Sequence, residues 1–304
     1  MPTVVKQTMR TARPSQNGSI LSRAVPVAGL RDDWIKISIY GRNRVGKTTL
    51  ACTFPKPLLL VSFEPARTGG ARSIRKVPGV EYIHLSSIPE VEKLAGELAS
   101  DTHFKTHVLD TITSLQDALL AQILDLPDVP EQWAFGSAGK TEYQRRSERT
   151  KDVLRPFLNL KAHTVVLAKE KDHSPPKGDE IWEGYGRRKL NADIDAMRVD
   201  SYFAESIGTS AADWLHDACD FVCRLYLTKE VMVQQRTVKV AGQNQIVKEE
   251  IETGKIVRRL RTLYHANYAA GFRSDVLDIP EYIENPTYDR LVQVIEGKWK
   301  APAK

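Results

Sequence analysis

The sequence predicts an α/β fold with a mainly parallel central sheet and an antiparallel extension toward its C-terminal end. An alternating apolar run from Ile35 to Tyr40 breaks into the spacing G-x-x-x-x-G-K-T-T at Gly41 to Thr49, then into a helical pattern. Apolar runs at 57–64, 107–112 and 163–171, separated by helical stretches, read as buried parallel strands. From Phe221 onward the period becomes two, with glycine-containing turns between the runs.

The first of these runs is a P-loop in its proper context of strand, loop and helix. Gly41, Arg42, Asn43, Arg44, Val45 and Gly46 form the loop, whose backbone N–H groups face phosphate oxygens at a helix N-terminus. Lys47 is expected to reach the β- and γ-phosphates and Thr48 to place its hydroxyl on Mg²⁺, while Thr49 belongs to the first helical turn. Nucleotide binding is favoured over a glycine-rich turn with an exposed lysine.

The run 57–64 ends in Glu64 on the edge where open α/β sheets bind ligands, so Glu64 is a candidate for orienting or deprotonating the attacking water. A salt-bridged surface acid is the alternative. Short strand and helix patterns follow at 81–85 and 88–99, then a strand ending in Asp110, the expected Mg²⁺ acid, and a helix over 112–124. The segment 126–140 is a loop holding Trp133 and Phe135, either base-stacking or anchoring. A charged helix spans 141–158, and Lys169 and Glu170 end the next strand on the same functional edge.

Residues 171–207 show no period and exceed an ordinary connection. They contain Trp182, Tyr185, Arg187, Arg188 and Lys189, a set suited to single-stranded DNA by stacking and phosphate contact, within a net charge of −2 from eight acids and six bases. A helix from Gly208 leads into a strand at 221–227, and strands are expected at 230–240, 246–251 and 256–265, with turns at Gly242 and Gly254. Arg258, Arg259 and Arg261 on the last strand read mostly as a solvated face. A final helix over 286–296 stops at Gly297.

Residues 1–33 form a basic arm carrying Lys6, Arg10, Arg13, Arg23 and Arg31, either a tail or a strap on a neighbouring subunit or nucleic acid. The organisation is thus an arm at 1–33, a core at 34–278, and a helix with a basic tail at 279–304. With 304 residues and 41% hydrophobic content the chain can bury a large core, and the net charge of +6 suits a polyanion partner only weakly. No apolar stretch approaches the ~20 residues of a membrane helix, and the N-terminus lacks a signal-peptide core, so a cytoplasmic location is expected. Cys52, Cys219 and Cys223 read as core thiols, and the seven histidines show no metal-ligand spacing.

The ordered set resembles the RecA-type ATPase core, and most of all the phage-encoded RecA-like recombinases associated with single-strand annealing. It is carried by Gly46-Lys47-Thr48-Thr49, Glu64, residues 108–115, the Asp220-x-Val222-x-Arg224-Leu225 strand and the Asn285-Pro286-x-Tyr288 helix start, over about residues 34–296. The resemblance implies that Glu64 activates water, Asp110 holds Mg²⁺ and Lys169 senses the γ-phosphate. It also implies that 171–207 and 125–140 are DNA loops, and that Arg273 acts on a neighbouring subunit's site in a filament or ring. Two departures stand out: a single basic residue replaces the family's pair, and the long loop is net acidic. The expected function is an Mg²⁺-dependent ATPase that binds single-stranded DNA, assembles with ATP at subunit boundaries and promotes strand pairing, with a single-strand binding protein as a possible partner and no membrane. A helicase loader or other accessory ATPase, or a nucleoside or nucleotide kinase, are the alternatives at this point.

Overall fold

The structure, a computed structural model, describes residues 34–64, 70–126, 138–172, 203–240, 243–265, 267–276 and 278–299. The basic arm, the aromatic loop around Trp133 and the five DNA-binding candidates Trp182, Tyr185, Arg187, Arg188 and Lys189 lie outside the described residues.

The chain begins with β1 (Lys36–Gly41), α1 (Lys47–Ala51), β2 (Leu58–Ser62), a short 3-10 helix (Gly70–Ile74) and β3 (Val80–His84). Then come α2 (Ile88–Ser100), β4 (Thr106–Asp110), α3 (Ile112–Ile123), α4 (Lys140–Leu158) and β5 (His163–Asp172). The remainder comprises β6 (Phe203–Glu205), α5 (Thr209–Ala218), β7 (Phe221–Val240), β8 (Gln243–Arg261), β9 (Gly271–Phe272), β10 (Tyr282–Glu284) and α6 (Tyr288–Ile295).

One sheet runs in the order β10-β8-β7-β1-β5-β4-β2-β3, with β6 beside β5 and β9 beside β7. The strands from β3 to β7 along this order are parallel, and β8, β10, β6 and β9 are antiparallel additions. The acid-bearing strand β4 does not touch the P-loop strand β1, because β5 lies between them.

Alternation along the strands feeds two cores, as a period of two requires of a sheet covered on both faces. Leu59 and Val61 enter a cluster with α2, α3, α4 and α5, and Leu58 and Leu60 enter the opposite one with α1 and α6. In α2 the buried residues Ile88, Val91, Leu94, Ala95 and Leu98 make a single stripe. Its start is capped by Glu90, whose carboxylate accepts from the backbone N–H groups of Ser86 and Ser87. Leu291 and Val294 of α6 are buried in the second core.

The C-terminal strands differ from expectation. The runs expected at 221–227 and 230–240 are one 20-residue strand, β7, and those at 246–251 and 256–265 are one 19-residue strand, β8, which stops at Arg261. The register shifts between Lys229 and Val231, opposite Gly254 with φ 78°. Gly254 therefore forms a β-bulge rather than a turn, and both features ask the same left-handed backbone of a glycine. Pairing of β7 with β1 covers only Phe221–Arg224, so the β7–β8 ribbon continues about 50 Å past the end of β1 at ~3.3 Å per residue.

Candidate nucleotide site

Local chemistry places the P-loop where the sequence predicts. Gly41 ends β1 against the carbonyl of Leu225, and the exposed Arg42, Asn43 and Arg44 lead to Val45, which anchors the loop in the core. Gly46 has φ 92° and turns the chain into α1, where Thr49 is exposed. The Lys47 ammonium folds back on its own loop and donates to the carbonyls of Gly41 at 2.8 Å and Arg42 at 3.0 Å. Burial lowers its pKa to about 8, against the opposing pull of the Asp110 and Glu64 carboxylates.

Thr48 Oγ1 donates to Asp110 Oδ2 at 2.8 Å, so the expected metal pair is assembled from α1 and β4. Burial raises the Asp110 pKa despite the Thr48 hydrogen bond, which leaves a desolvated carboxylate suited to a cation. Gly70 closes this pocket: a Cβ there would lie 2.3 Å from Thr48 Oγ1 and 3.0 Å from Asp110 Oδ2. Two hard oxygen donors and a glycine-lined cradle fit Mg²⁺, which takes one or two protein oxygens and completes its shell with phosphate and water. Among the described residues no group of three or more His, Cys, Asp and Glu forms another metal site.

Beside this pair, Glu64 follows β2. Its Oε1 lies 3.0 Å from Lys169 Nζ and accepts from the Ser114 hydroxyl at 3.3 Å and the Thr111 hydroxyl at 3.5 Å. Glu64 is thus ion-paired, as the alternative reading expects, and lies close enough to the P-loop for its charge to act on Lys47. The Lys169 backbone N–H donates to Thr113 Oγ1, tying β5 to α3. Next to it, the buried Glu170 accepts from Arg224 at 2.6 and 3.3 Å and pairs with Arg42 at 3.4 Å, linking β5, β7 and the P-loop.

Arg273 lies elsewhere. Its backbone N–H donates to the Asp220 carbonyl, and Asp220 in turn accepts from the backbone of Lys36, at the opposite end of β1 from Gly41. The side chain is exposed and sits 3.7 Å from Asp217. It does not meet its own chain's P-loop, so any catalytic role is confined to a neighbouring subunit.

The arginines of β8 are not a solvated face. Arg259 bonds Glu284 and stacks on Tyr282, and Arg261 pairs with Glu281 at 2.9 Å. Arg258 rests against Gly46. The sequence does not mark Gly70 or Arg258 as site residues. For Arg258 the available signal was arithmetic: three arginines on β8 face two acids, Glu281 and Glu284, on the adjoining segment.

A family model described as an AAA domain matches residues 34–248. The chain belongs to the AAA domain family. This AAA domain carries its P-loop on a central strand of a mainly parallel sheet, with the acid strand one place removed. Among curated proteins none matches the sequence. The flagellar accessory protein FlaH from Methanocaldococcus jannaschii aligns at a TM-score of 0.34 and 11% identity, over 82% of this chain and 85% of its own, a likeness too distant to bear on function. No helix among the described residues is long and apolar enough to cross a membrane.

Proposed function

We propose that this AAA domain is an Mg²⁺-dependent ATPase that binds single-stranded DNA, forms a homo-oligomer and couples hydrolysis to strand pairing or annealing in phage DNA recombination or repair. The observation that carries the reading is the convergence of Lys47, Thr48, Asp110, Glu64 and Lys169 on one edge of the sheet. Lys47 exchanges its loop carbonyls for the β- and γ-phosphates and offsets charge on the transferring group. Thr48 and Asp110 would hold Mg²⁺, which supplies further charge neutralisation at the phosphates when bound. Glu64 orients water for in-line attack, held in place by Lys169, Ser114 and Thr111.

Support for coupling to DNA comes from β5. The strand runs from Lys169, beside Glu64, to Asp172, which pairs with Phe203 of β6. These two residues bracket the segment that holds Trp182, Tyr185, Arg187, Arg188 and Lys189. A change at Lys169 upon hydrolysis is three residues from Asp172, where that segment is anchored. A single-strand binding protein is the proposed partner in the host cytoplasm, and Arg273, exposed at the far edge, is the proposed trans-acting cation.

The test is ATP hydrolysis with and without single-stranded DNA. The expected result is DNA stimulation, with Glu64→Gln lowering turnover by about 10²–10⁴-fold while retaining ATP binding, and Lys47→Ala losing both. Hydrolysis that ignores DNA, with phosphorylation of a nucleoside or its monophosphate, would overturn the reading in favour of a kinase.

A further inference from the structure

A second element faces the phosphate loop, and the catalytic scheme above makes no use of it. A Cβ built on Gly46 would fall 2.6 Å from Arg258 Cζ, 2.7 Å from Nη2 and 2.9 Å from Nε. The Nε is buried and has no hydrogen-bond partner among the described residues. Acids that could neutralise Arg258 are engaged elsewhere: Glu284 with Arg259, Glu281 with Arg261, Glu170 with Arg224 and Arg42, and Glu64 with Lys169. A desolvated guanidinium nitrogen without an acceptor is unfavourable, and an anion at the P-loop is the group that would satisfy it.

Strand register shows what flanks this cation. Residues directly opposite in an antiparallel pair share a face. Leu225 opposes Leu260, and both are buried in the core that holds α1. One step outward on that face Leu227 opposes Arg258, and one step further Lys229 opposes Ile256. Leu227 and Ile256 are 48% and 59% exposed, although their face is continuous with the core. The base of the ribbon therefore presents a cation between two uncovered apolar side chains, next to the phosphate loop.

We propose that Leu227, Arg258 and Ile256 form a second wall of the nucleotide site, supplied in cis by the β7–β8 ribbon. Arg258 pairs with a phosphate oxygen of the nucleoside triphosphate, and Leu227 and Ile256 cover its base. The inference rests on the reading of Gly41–Thr49 as a nucleotide site, and it gives the ribbon a direct connection to nucleotide occupancy.

Equilibrium binding of MgATP and of inorganic tripolyphosphate, which has no base, tests both halves. Arg258→Ala is expected to weaken both ligands about tenfold, as loss of one charge-assisted hydrogen bond implies. The Leu227→Ala/Ile256→Ala double variant is expected to weaken MgATP about fivefold and leave tripolyphosphate unchanged, because only the base loses apolar contact. Melting of the ligand-free proteins reports folding. If Arg258→Ala does not fold, Arg258→Gln, which keeps most of the packing volume, carries the same expectation. Arg258 variants that bind both ligands within twofold of wild type overturn the proposal, as does a loss confined to MgATP, which would place Arg258 on the base. Wild-type protein that binds neither ligand would instead remove the underlying nucleotide reading.

Discussion

Two lysines at opposite ends of the first strand show what separates scaffold from site. Lys36 precedes β1 residues that lead to Gly41, and Lys47 follows the loop beyond it; burial lowers the pKa of each to about 8. The Lys36 ammonium donates to the carbonyls of Leu160 and Ala162 at 2.7 and 2.6 Å and to Thr164 Oγ1 at 3.1 Å, with Asp220 nearby. Those acceptors belong to β5 and the turn before it, permanent neighbours that the bond staples to β1. The Lys47 acceptors are two carbonyls of the loop that a phosphate would reorganise. Desolvation alone does not distinguish the two; the identity of the acceptors does.

The comparison breaks most visibly through exchange of roles. Lys47→Ala is expected to lower ATP turnover by more than about 10²-fold, as loss of a preorganised charge at the transferring group implies, with a smaller loss of stability than Lys36→Met because Lys47 satisfies two acceptors and Lys36 three. Lys36→Met should do the reverse, costing about 2–3 kcal/mol of stability by stranding the Leu160 and Ala162 carbonyls while sparing ATP affinity. Calorimetric melts beside binding titrations check both, and a Lys36→Met protein that loses ATP binding at full stability would erase the distinction.

Gly70→Ala asks whether the metal pocket is as tight as its geometry. The added methyl would meet Thr48 Oγ1 at 2.3 Å, so a roughly 10–100-fold loss in Mg²⁺ affinity is expected, with nucleotide binding in EDTA little changed. A Mg²⁺ titration of fluorescent nucleotide binding reads this directly.

Titration sharpens the comparison further. Both lysines bind a proton less tightly when folded, so between about pH 8 and pH 10.5 the unfolded chain holds protons that the native chain has lost. Stability of the free protein is therefore expected to rise with pH over this window, by up to roughly 3 kcal/mol for each lysine. ATP affinity moves the other way, falling up to about tenfold per pH unit above pH 8, because Lys47 must regain its proton to meet phosphate. Lys36→Met should remove about half of the stability rise and none of the affinity fall.

The parts of the site legible in the sequence are those whose chemistry depends on chain order. Lys47, Thr48, Glu64 and Asp110 each sit at or beyond a strand end, and parallel strands bring such ends to one edge whatever their order in the sheet; Lys169 lies inside β5, which runs on to Asp172, but it is level with Gly41 at the end of β1. Gly70 and Arg258 depend instead on contacts across elements far apart in sequence. No local period shows that Gly70 will rest on Thr48, or that the register of β8 against β7 will set Arg258 over Gly46. The division of the ribbon into shorter strands failed for a related reason. Gly254 needs the same backbone in a bulge as in a turn, and only pairing across the ribbon tells the two apart. Glu205, buried between Ser38 at 2.8 Å and His216 at 2.9 Å, was equally hidden, since an acid in an unpatterned stretch gives no sign of its partners.

The antiparallel pairing of Asp172 with Phe203 makes the intervening stretch an interchangeable cartridge. Its two ends are already neighbours on the sheet, and the entropy of closing a loop grows only with the logarithm of its length. Lengthening, shortening or grafting this stretch would leave Lys169, Glu64 and the P-loop in place, so the two parts of the chain can vary independently.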